Sequence, residues 1–335
     1  MRARTMTLAA LTTGVLLLTA ACGDAGSSGG TDTSSSGSTA AALATCEPVA
    51  GDSLVALEDD LGLQTADNIV PAINAAAIEG DANFIPLLDA VSATLDTETL
   101  IGLNKAVDVD RQTSTQVAAD YLETKGLAAA DMVGGGKTVV VGAANFSESA
   151  TLAEIYAGAL RSAGYDATTQ TIGNRDTYAP ALQDGTLTMV PEYVGTLTEY
   201  LNKQANGADA PALASSDVDA TLAELVTLGT AVGLTFGTPA AAQDQNTFAV
   251  TTAFADEHQV TTLSELAETC GGLVLGGPPE CPERPFCQPG LEETYGLQIA
   301  EFTSLDAGGP LTKTALQQGT IALGLVFSSD AALAG

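Results

Sequence analysis

The stretch "KTVVVGAANFSESATLAEIYAGALRSAGY", Lys137 to Tyr165, decides the fold class of the 335-residue chain. Its β-branched run, 138–142, is typical of a buried strand, and the apolar residues after "NFSES" recur at helical spacing. Two more predicted strands follow, at 166–172 and 187–193, separated by a short helix. Strands that alternate with helices indicate a parallel sheet with right-handed crossovers, in which ligands lie beyond the carboxyl ends of the strands.

The rest of the chain continues this α/β pattern on both sides of that stretch. Downstream we predict helices and strands in the order helix 197–203, helix 218–230, strand 247–251, helix 262–269, strand 273–276, helix 311–319 and strand 320–327. The segment 47–127 offers one strand, 54–58, and then four helices, at 68–77, 84–95, 97–107 and 114–127. Because a single strand cannot form its own sheet, 47–127 must pack onto the sheet that begins at 138. Residues 128–136 form a Gly-rich linker.

The first 22 residues have the layout of an export signal: a positive start, an apolar run and small residues before Cys22. The ending "LTAAC" resembles a bacterial lipoprotein box, which implies lipidation of Cys22. A plain cleaved signal peptide, with Cys22 incidental, is the alternative. Residues 23–45 are rich in Gly, Ser and Thr and predict a disordered tether. No later apolar run is long enough to span a bilayer, so we expect a lipid anchor alone, on the outer face of the cytoplasmic membrane.

A formal charge of −30 argues against a nucleic-acid partner, which requires a basic face. Beyond the lipoprotein-box cysteine four more remain, and an even number in an exported chain predicts two disulfides with three possible connectivities. Cys281 and Cys287 bracket "PERPF", whose prolines favour a short closed loop, and Cys46–Cys270 follows by elimination. Zinc binding is the alternative. We predict no metal site, because no second ligand pair has metal-binding spacing and His258 is remote.

Six motifs resemble, in order, those of the quaternary-amine binding proteins, the glycine betaine, choline and carnitine receptors of osmoprotectant ABC importers. They are "VGAANFSES" (141–149), "GNRDTYAPALQDG" (173–185), "VPEYVGTLTEYL" (190–201), "AAQDQNTFAV" (241–250), "LGGPPE…RP…PGLEETYGL" (275–297) and "GGPLTKTALQQG…FSSDAALA" (308–334). The resemblance covers 138–335. It implies a two-lobed type II periplasmic-binding-protein fold, a monomer that takes no cofactor, and a permease with its ATPase as partners.

One segment departs from the order of that family. There, a stretch like "LVALEDDLGLQTADNIVP" (54–71) follows the "SSDAALA" motif, whereas here it precedes the body. The resemblance therefore implies a circular permutation, with an unrelated N-terminal helical domain as the alternative. On this basis we predict a first lobe of 47–127, 137–195 and 305–335, and a second lobe of 196–304.

A quaternary ammonium has no N–H to donate, so aromatic faces hold it through cation–π attraction. Tyr193, at the end of a predicted strand, is expected to face the crevice. The resemblance implies that Tyr193 is a wall of an aromatic cage and that Thr196 bonds a ligand carboxylate. Phe248, Tyr178 and Phe327 are further candidate walls, with core packing as the alternative for each.

Carboxylate recognition has its own candidates. Arg284 lies between two prolines and matches an arginine of the family that binds carboxylate, with an ordinary surface arginine as the alternative. Asn145 and Phe146 precede a predicted helix, whose first amides attract anions. Ala144 stands where the family has a lysine, which weakens the case for glycine betaine and leaves choline, carnitine or another methylated amine open.

Enzyme function is disfavoured by the side chains available for catalysis. His258 is the single histidine, and no triad motif surrounds it. "VGGGK" lacks the spacing of a phosphate-binding loop and precedes its strand. The sequence therefore predicts a binding protein rather than an enzyme. The alternatives are a receptor for a different small solute, a secreted hydrolase and a structural lipoprotein without a ligand.

Overall fold

The computed structural model describes residues 43–334. The predicted signal, its Cys22 and nearly all of the predicted tether therefore lie outside the described residues. Within 43–334, no helix has both the length and the apolar character needed to cross a membrane.

Helices and strands alternate along most of the described chain, which is the predicted α/β pattern. The strands are β1 (Leu54–Leu57), β2 (Ile69–Asn74), β3 (Thr138–Ala143), β4 (Asp166–Thr171), β5 (Met189–Tyr193), β6 (Leu234–Phe236), β7 (Asn246–Thr251), β8 (Leu273–Gly277), β9 (Ile299–Ser304) and β10 (Leu323–Phe327). The helices are α1 (Phe84–Ser92), α2 (Thr97–Asp108), α3 (Ser114–Lys125), α4 (Ser147–Ser162), α5 (Arg175–Gln183), α6 (Val194–Asn206), α7 (Val218–Ala231), α8 (Thr252–His258), α9 (Leu263–Thr269), α10 (Gln288–Gly290) and α11 (Pro310–Gln317).

These strands form two five-stranded sheets. The first sheet has the order β4-β3-β5-β2-β6, and the second has the order β1-β7-β10-β8-β9. In the first sheet β3 pairs in parallel with β4 and β5, which confirms the βαβ arrangement that the opening stretch predicts. Four elements, β6, α8, α10 and β9, lie where no helix or strand was predicted.

The predicted helix at 68–77 is wrong, because its centre is the strand β2. All six residues of β2 are buried between β5 and β6, so both its faces and both its edges are covered. Its Pro71 lies opposite Pro191. Hydrogen-bonded and non-bonded positions alternate along an antiparallel pair. The residue pairs 68/194 and 74/188 are joined by main-chain hydrogen bonds. Because bonded pairs recur at every second position, the pair 71/191 is a non-bonded one, and Pro71 needs no N–H toward β5.

The two sheets divide the chain differently from the predicted lobes. β1 and β10 were assigned to the first lobe, but β10 lies between β7 and β8 in the second sheet, and β1 pairs with β7. β6, assigned to the second lobe, pairs with β2 in the first. The segment 47–127 contributes β2 to the sheet that begins at 138, whereas its predicted strand, β1, lies in the second sheet. Strand pairing is set by contacts distant in sequence, which local patterns do not report.

Two crossover segments, 58–68 and 237–245, carry the chain between the sheets. They run side by side and are hydrogen-bonded to each other. The Ile69 N–H donates to the Ala242 carbonyl at 3.0 Å, and the Asp244 N–H donates to the Asp67 carbonyl at 3.2 Å. The side chains of Asp67 and Asp244 are thereby held at the junction of the lobes.

The four described cysteines form the two predicted disulfides, Cys46–Cys270 and Cys281–Cys287. The prediction that His258 is remote from the cysteines is wrong, since its Nδ1 lies 3.6 Å from Cys46 Sγ and its ring packs on Phe254. These three ligand-type side chains lie within 4.8 Å of one another, but the two sulfurs are bonded to each other and cannot act as thiolate ligands.

Removing the two disulfides is expected to affect stability unequally. The entropy that a cross-link removes from the unfolded chain grows with the length of the loop it closes. Replacing Cys46 and Cys270 by alanine, at a sequence separation of 224, should lower the free energy of unfolding by about 5 kcal/mol. The same change at Cys281 and Cys287, at a separation of 6, should cost less than about 3 kcal/mol. Urea unfolding followed by circular dichroism measures both, and equal losses would contradict the expectation.

Candidate functional site

A cavity of about 930 Å³ opens where the two lobes meet. Both sheets and both crossover segments contribute to its wall. Ala144 and Phe146 follow β3, Tyr193 ends β5, and Phe327 ends β10. The cavity thus lies beyond the carboxyl ends of strands from both sheets, the usual ligand position in open α/β folds.

Five of the eight predicted site residues line this cavity: Phe146, Tyr178, Tyr193, Thr196 and Phe327. Four of them are aromatic, and they come from four separate segments of the chain. Tyr178 and Tyr193 are 4% and 7% exposed, whereas Phe146 and Phe327 are 44% and 37% exposed. The cavity therefore has both buried aromatic walls and exposed aromatic rings.

Tyr193 and Phe146 form one continuous wall of the cavity. Their ring centroids are 6.5 Å apart and their planes differ by 26°, a contact distance for stacked rings. The Tyr193 hydroxyl donates to Glu148 Oε1 at 2.5 Å, and the Asn104 side chain donates to Glu148 Oε2 at 2.6 Å. These bonds fix the orientation of the Tyr193 ring. Burial raises the pKa of Glu148, and burial together with the Glu148 charge raises the pKa of Tyr193 well above its usual value.

A second network holds Tyr178 and Thr196. Arg175 donates from Nε and Nη2 to the Glu192 carboxylate, at 2.8 to 3.2 Å, and also from Nη2 to Thr196 Oγ1 at 2.8 Å. The Tyr178 hydroxyl donates to Glu192 Oε1 at 2.8 Å. Glu192 is 1% exposed, so its charge is compensated by Arg175 at close range. Although burial opposes the charged form, this pairing raises the pKa of Arg175.

The crossover segment 58–68 provides a cap for helix α6. Asp67 Oδ1 accepts from the Thr196 N–H at 2.9 Å, in the first turn of that helix, where an acceptor satisfies a free amide. The approach is close, since a Cβ atom at Gly195 would lie 2.5 Å from the Ala66 carbonyl oxygen. Glycine in "EYVGT" therefore permits the contact between α6 and the crossover segment.

Three predicted site residues lie elsewhere. Phe248 is 1% exposed and packs in the core of the second lobe, the alternative considered for it. Asn145 is exposed, does not line the cavity, and its N–H donates to the Gly173 carbonyl. Arg284 is also outside the cavity wall. Its side chain is 67% exposed and faces Glu280 at 3.9 Å, so the structure places it on the surface.

Several lining residues were missed in the sequence. The main ones are Asp67, Arg175, Tyr200, Asp244 and Phe286. Phe286 lies in the Cys281–Cys287 loop, two residues after Arg284, the residue of this loop that was predicted to bind the ligand. Tyr200 lies four residues after Thr196 on α6, one helical turn along the same face. The two aspartates carry no local signal, because only the pairing of the crossover segments brings them to the cavity.

A sequence profile described as "Substrate binding domain of ABC-type glycine betaine transport system" matches residues 40–124 and 137–335. The chain belongs to this family. Its members are transport proteins rather than a class of enzyme, and as substrate-binding domains of ABC importers they are extracytoplasmic, bind small ligands and deliver them to a permease.

Comparison with solved structures finds further likenesses, two of which are described here. One is titled "Crystal structure of glycine betaine/carnitine/choline ABC transporter"; it is 19% identical, with a TM-score of 0.44 over 58% of this chain and 71% of that one. The other is a Haemophilus influenzae OppA complex with the peptide RPPGFSPFR, 8% identical, with a TM-score of 0.25 over 56% of this chain and 44% of that one. No curated protein matches the chain.

Breaking the Arg175–Glu192 pair is expected to destabilise this family member strongly. Arg175→Met would leave the Glu192 carboxylate buried without its cation, which typically costs about 3–5 kcal/mol. The double variant Arg175→Met/Glu192→Gln should recover most of that loss, because glutamine is uncharged and keeps an acceptor for Tyr178. Urea unfolding of the wild type, both single variants and the double variant measures the coupling. If the two single losses simply add, the pair does not act as a unit.

Proposed function

We propose that this protein captures a quaternary amine in the cavity between its lobes and delivers it to an ABC permease. The observation that carries the proposal is the aromatic wall of the cavity in a member of this family. Phe146, Tyr178, Tyr193 and Phe327 converge on one space, together with Tyr200 and Phe286. A methylated nitrogen cannot donate a hydrogen bond, and such ring faces attract it at roughly 0.5–2 kcal/mol each.

Closure of the lobes is part of this proposal. A cavity of about 930 Å³ is far larger than a ligand the size of choline. The two lobes are joined through the paired crossover segments 58–68 and 237–245, an arrangement suited to hinge motion. Rotation about these segments would bring Phe286 and Phe327, on the second lobe, toward Tyr193 on the first. The closed form would then be the one that the permease recognises.

We further propose that the chain is a lipoprotein anchored through Cys22. The motif "LTAAC" and the apolar run before it support this proposal. Cys22→Ser should shift the protein from the membrane fraction to the soluble fraction of the producing cells. An unchanged distribution would favour a plain cleaved signal.

A circular permutation is proposed as well. In the family order of motifs, the stretch at 54–71 would follow "SSDAALA". The turn at Ala331–Leu333 packs beside β1 and α2, so the end of the described chain lies next to the strand that would follow it. The family profile also matches in two pieces, on either side of the predicted linker 128–136.

Rearranging the chain tests the permutation. A variant that begins at Lys137, runs to residue 335 and continues through a short flexible linker into 52–127 should fold with nearly the same stability, because it retains the core elements and opens the exposed connector. It would lack Cys46, so the matched control is the natural order carrying Cys46→Ala and Cys270→Ala. Circular dichroism and thermal unfolding measure both. An unfolded rearranged chain beside a folded control would contradict the proposal.

Substitution of Tyr193 tests the aromatic cage. Tyr193→Ala removes one ring face and should weaken binding of choline, glycine betaine or carnitine by roughly 2- to 30-fold. Tyr193→Phe keeps the ring face but loses the bond to Glu148 that orients it, so it should lose less affinity than Tyr193→Ala. Isothermal titration calorimetry measures all three proteins.

A matched control accompanies the Tyr193 variants. Phe302→Ala removes a half-buried ring of β9 that does not line the cavity and should leave affinity unchanged. Equal affinity in Tyr193→Ala and the wild type would remove Tyr193 from the site. If no methylated amine binds the wild type, a receptor for another small solute becomes the better assignment.

A further inference from the structure

Three carboxylates lie at the lobe junction without a cationic partner. Asp67 and Asp244 line the main cavity, and Asp244 also lines a second cavity of about 700 Å³ together with Glu148. Their hydrogen-bond donors are all neutral: the Thr196 N–H for Asp67, the Ser329 hydroxyl for Asp244, and Tyr193 and Asn104 for Glu148. Within residues 43–334, no lysine or arginine forms an ion pair with any of the three.

The cations near this cluster are already occupied or open to solvent. Arg175 is paired with Glu192, and Lys313 with Asp330 at 2.8 Å. Lys203 lines the main cavity but is exposed. The charged and titratable groups near Asp244 include Asp67, Glu148, Asp330 and Tyr193. Asp108 and Lys313 line the second cavity with Asp244, and Arg175 lines the main cavity with it. Carboxylates therefore dominate the field at the junction.

Burial and mutual repulsion shift the titration of these acids. Burial raises the pKa of Asp67 to about 7, against the opposing effects of the Thr196 amide and Arg175. Burial, with the Glu148 charge adding to it, raises the pKa of Asp244 to about 8. A cation placed beside them would stabilise their charged forms.

Four of the groups that could bind a ligand carboxylate are, in contrast, engaged or distant. The Thr196 N–H is bonded to Asp67, and the Asn145 N–H to Gly173. The Ala144 N–H is bonded to the Ser149 hydroxyl. Arg284 lies outside the cavity wall. A zwitterionic ligand would bring a fourth carboxylate into this field, and these four groups would not be free to bind it.

We propose that Asp244, with Asp67 and Glu148 beside it, makes the cavity select methylated ammonium ligands of net positive charge over zwitterions. This inference rests on the proposed function and concerns the part of the ligand remote from its methylated nitrogen. Choline and glycine betaine are the matched probes, because they share a trimethylammonium group and differ in a hydroxyl against a carboxylate. The hydroxyl of choline can donate to a carboxylate, whereas the carboxylate of glycine betaine is repelled by it.

Calorimetric titration of the full chain at pH 8.5 with each probe tests the selection. The wild type should bind choline at least about tenfold more tightly than glycine betaine, as the ratio of the two dissociation constants. Asp244→Asn should reduce that ratio at least about threefold. Glu123→Gln, which removes an exposed carboxylate of α3 outside both cavities, should leave it unchanged.

A second measurement needs no substitution. Because the ionised form of Asp244 binds the cation, choline affinity should rise as pH increases from 6 to 8.5, by about tenfold or more, and level off above the pKa of about 8. Glycine betaine affinity should rise much less. Thermal unfolding without ligand confirms that each variant is folded at both pH values.

The outcomes separate this inference from the proposed function. If glycine betaine binds the wild type as tightly as choline, or if Asp244→Asn leaves the ratio unchanged, selection by charge is wrong while a quaternary-amine receptor stands. Choline affinity that is flat from pH 6 to 8.5 would likewise overturn it. If the wild type binds neither probe nor tetramethylammonium, both proposals fail.

Discussion

The hydrogen-bonded pair of crossover segments is the constraint on which the site depends. Each segment leaves one sheet and enters the other, and main-chain bonds between 67–69 and 242–244 hold the two together. From this pair Asp67 reaches the first turn of α6, and Gly195 allows that approach because no side chain intervenes. The position of the cavity at the junction of the lobes follows from these few bonds.

Buried charge is handled in two different ways around the cavity. Glu192 is compensated directly by Arg175, which makes a rigid support for Tyr178 and Thr196. Glu148 has only neutral donors, one of which is Tyr193, and burial raises the pKa of both groups. An uncompensated carboxylate is costly in a low-dielectric site unless a cation approaches it. The Arg175–Glu192 pair supports the cavity wall. The ionised form of Glu148 has no such partner, and a cationic ligand nearby would stabilise it.

Sequence reasoning succeeded where the signal is local. The repeat of apolar residues in 138–165 predicts β3 and α4, and the helices at 84–95, 97–107 and 114–127 are present with similar bounds. The strand ends that carry aromatic residues predict cavity residues, because side chains at the carboxyl ends of strands meet at one edge of a sheet. Arg284 was misplaced for a related reason, since a motif indicates the loop but not the direction of each side chain within it.

By itself the sequence determined the α/β class, the two disulfides, the family of transport receptors and four aromatic residues that line the cavity. These properties depend on periodicity, on the count and spacing of cysteines and on short motifs, all of which are local. The tertiary structure alone decided that 69–74 is a strand, that β1 and β10 belong to the second sheet, and that Asp67 and Asp244 meet at the lobe junction. Each of these depends on pairing between segments at least 48 residues apart, where the gain from burying both partners outweighs the local preference of either one.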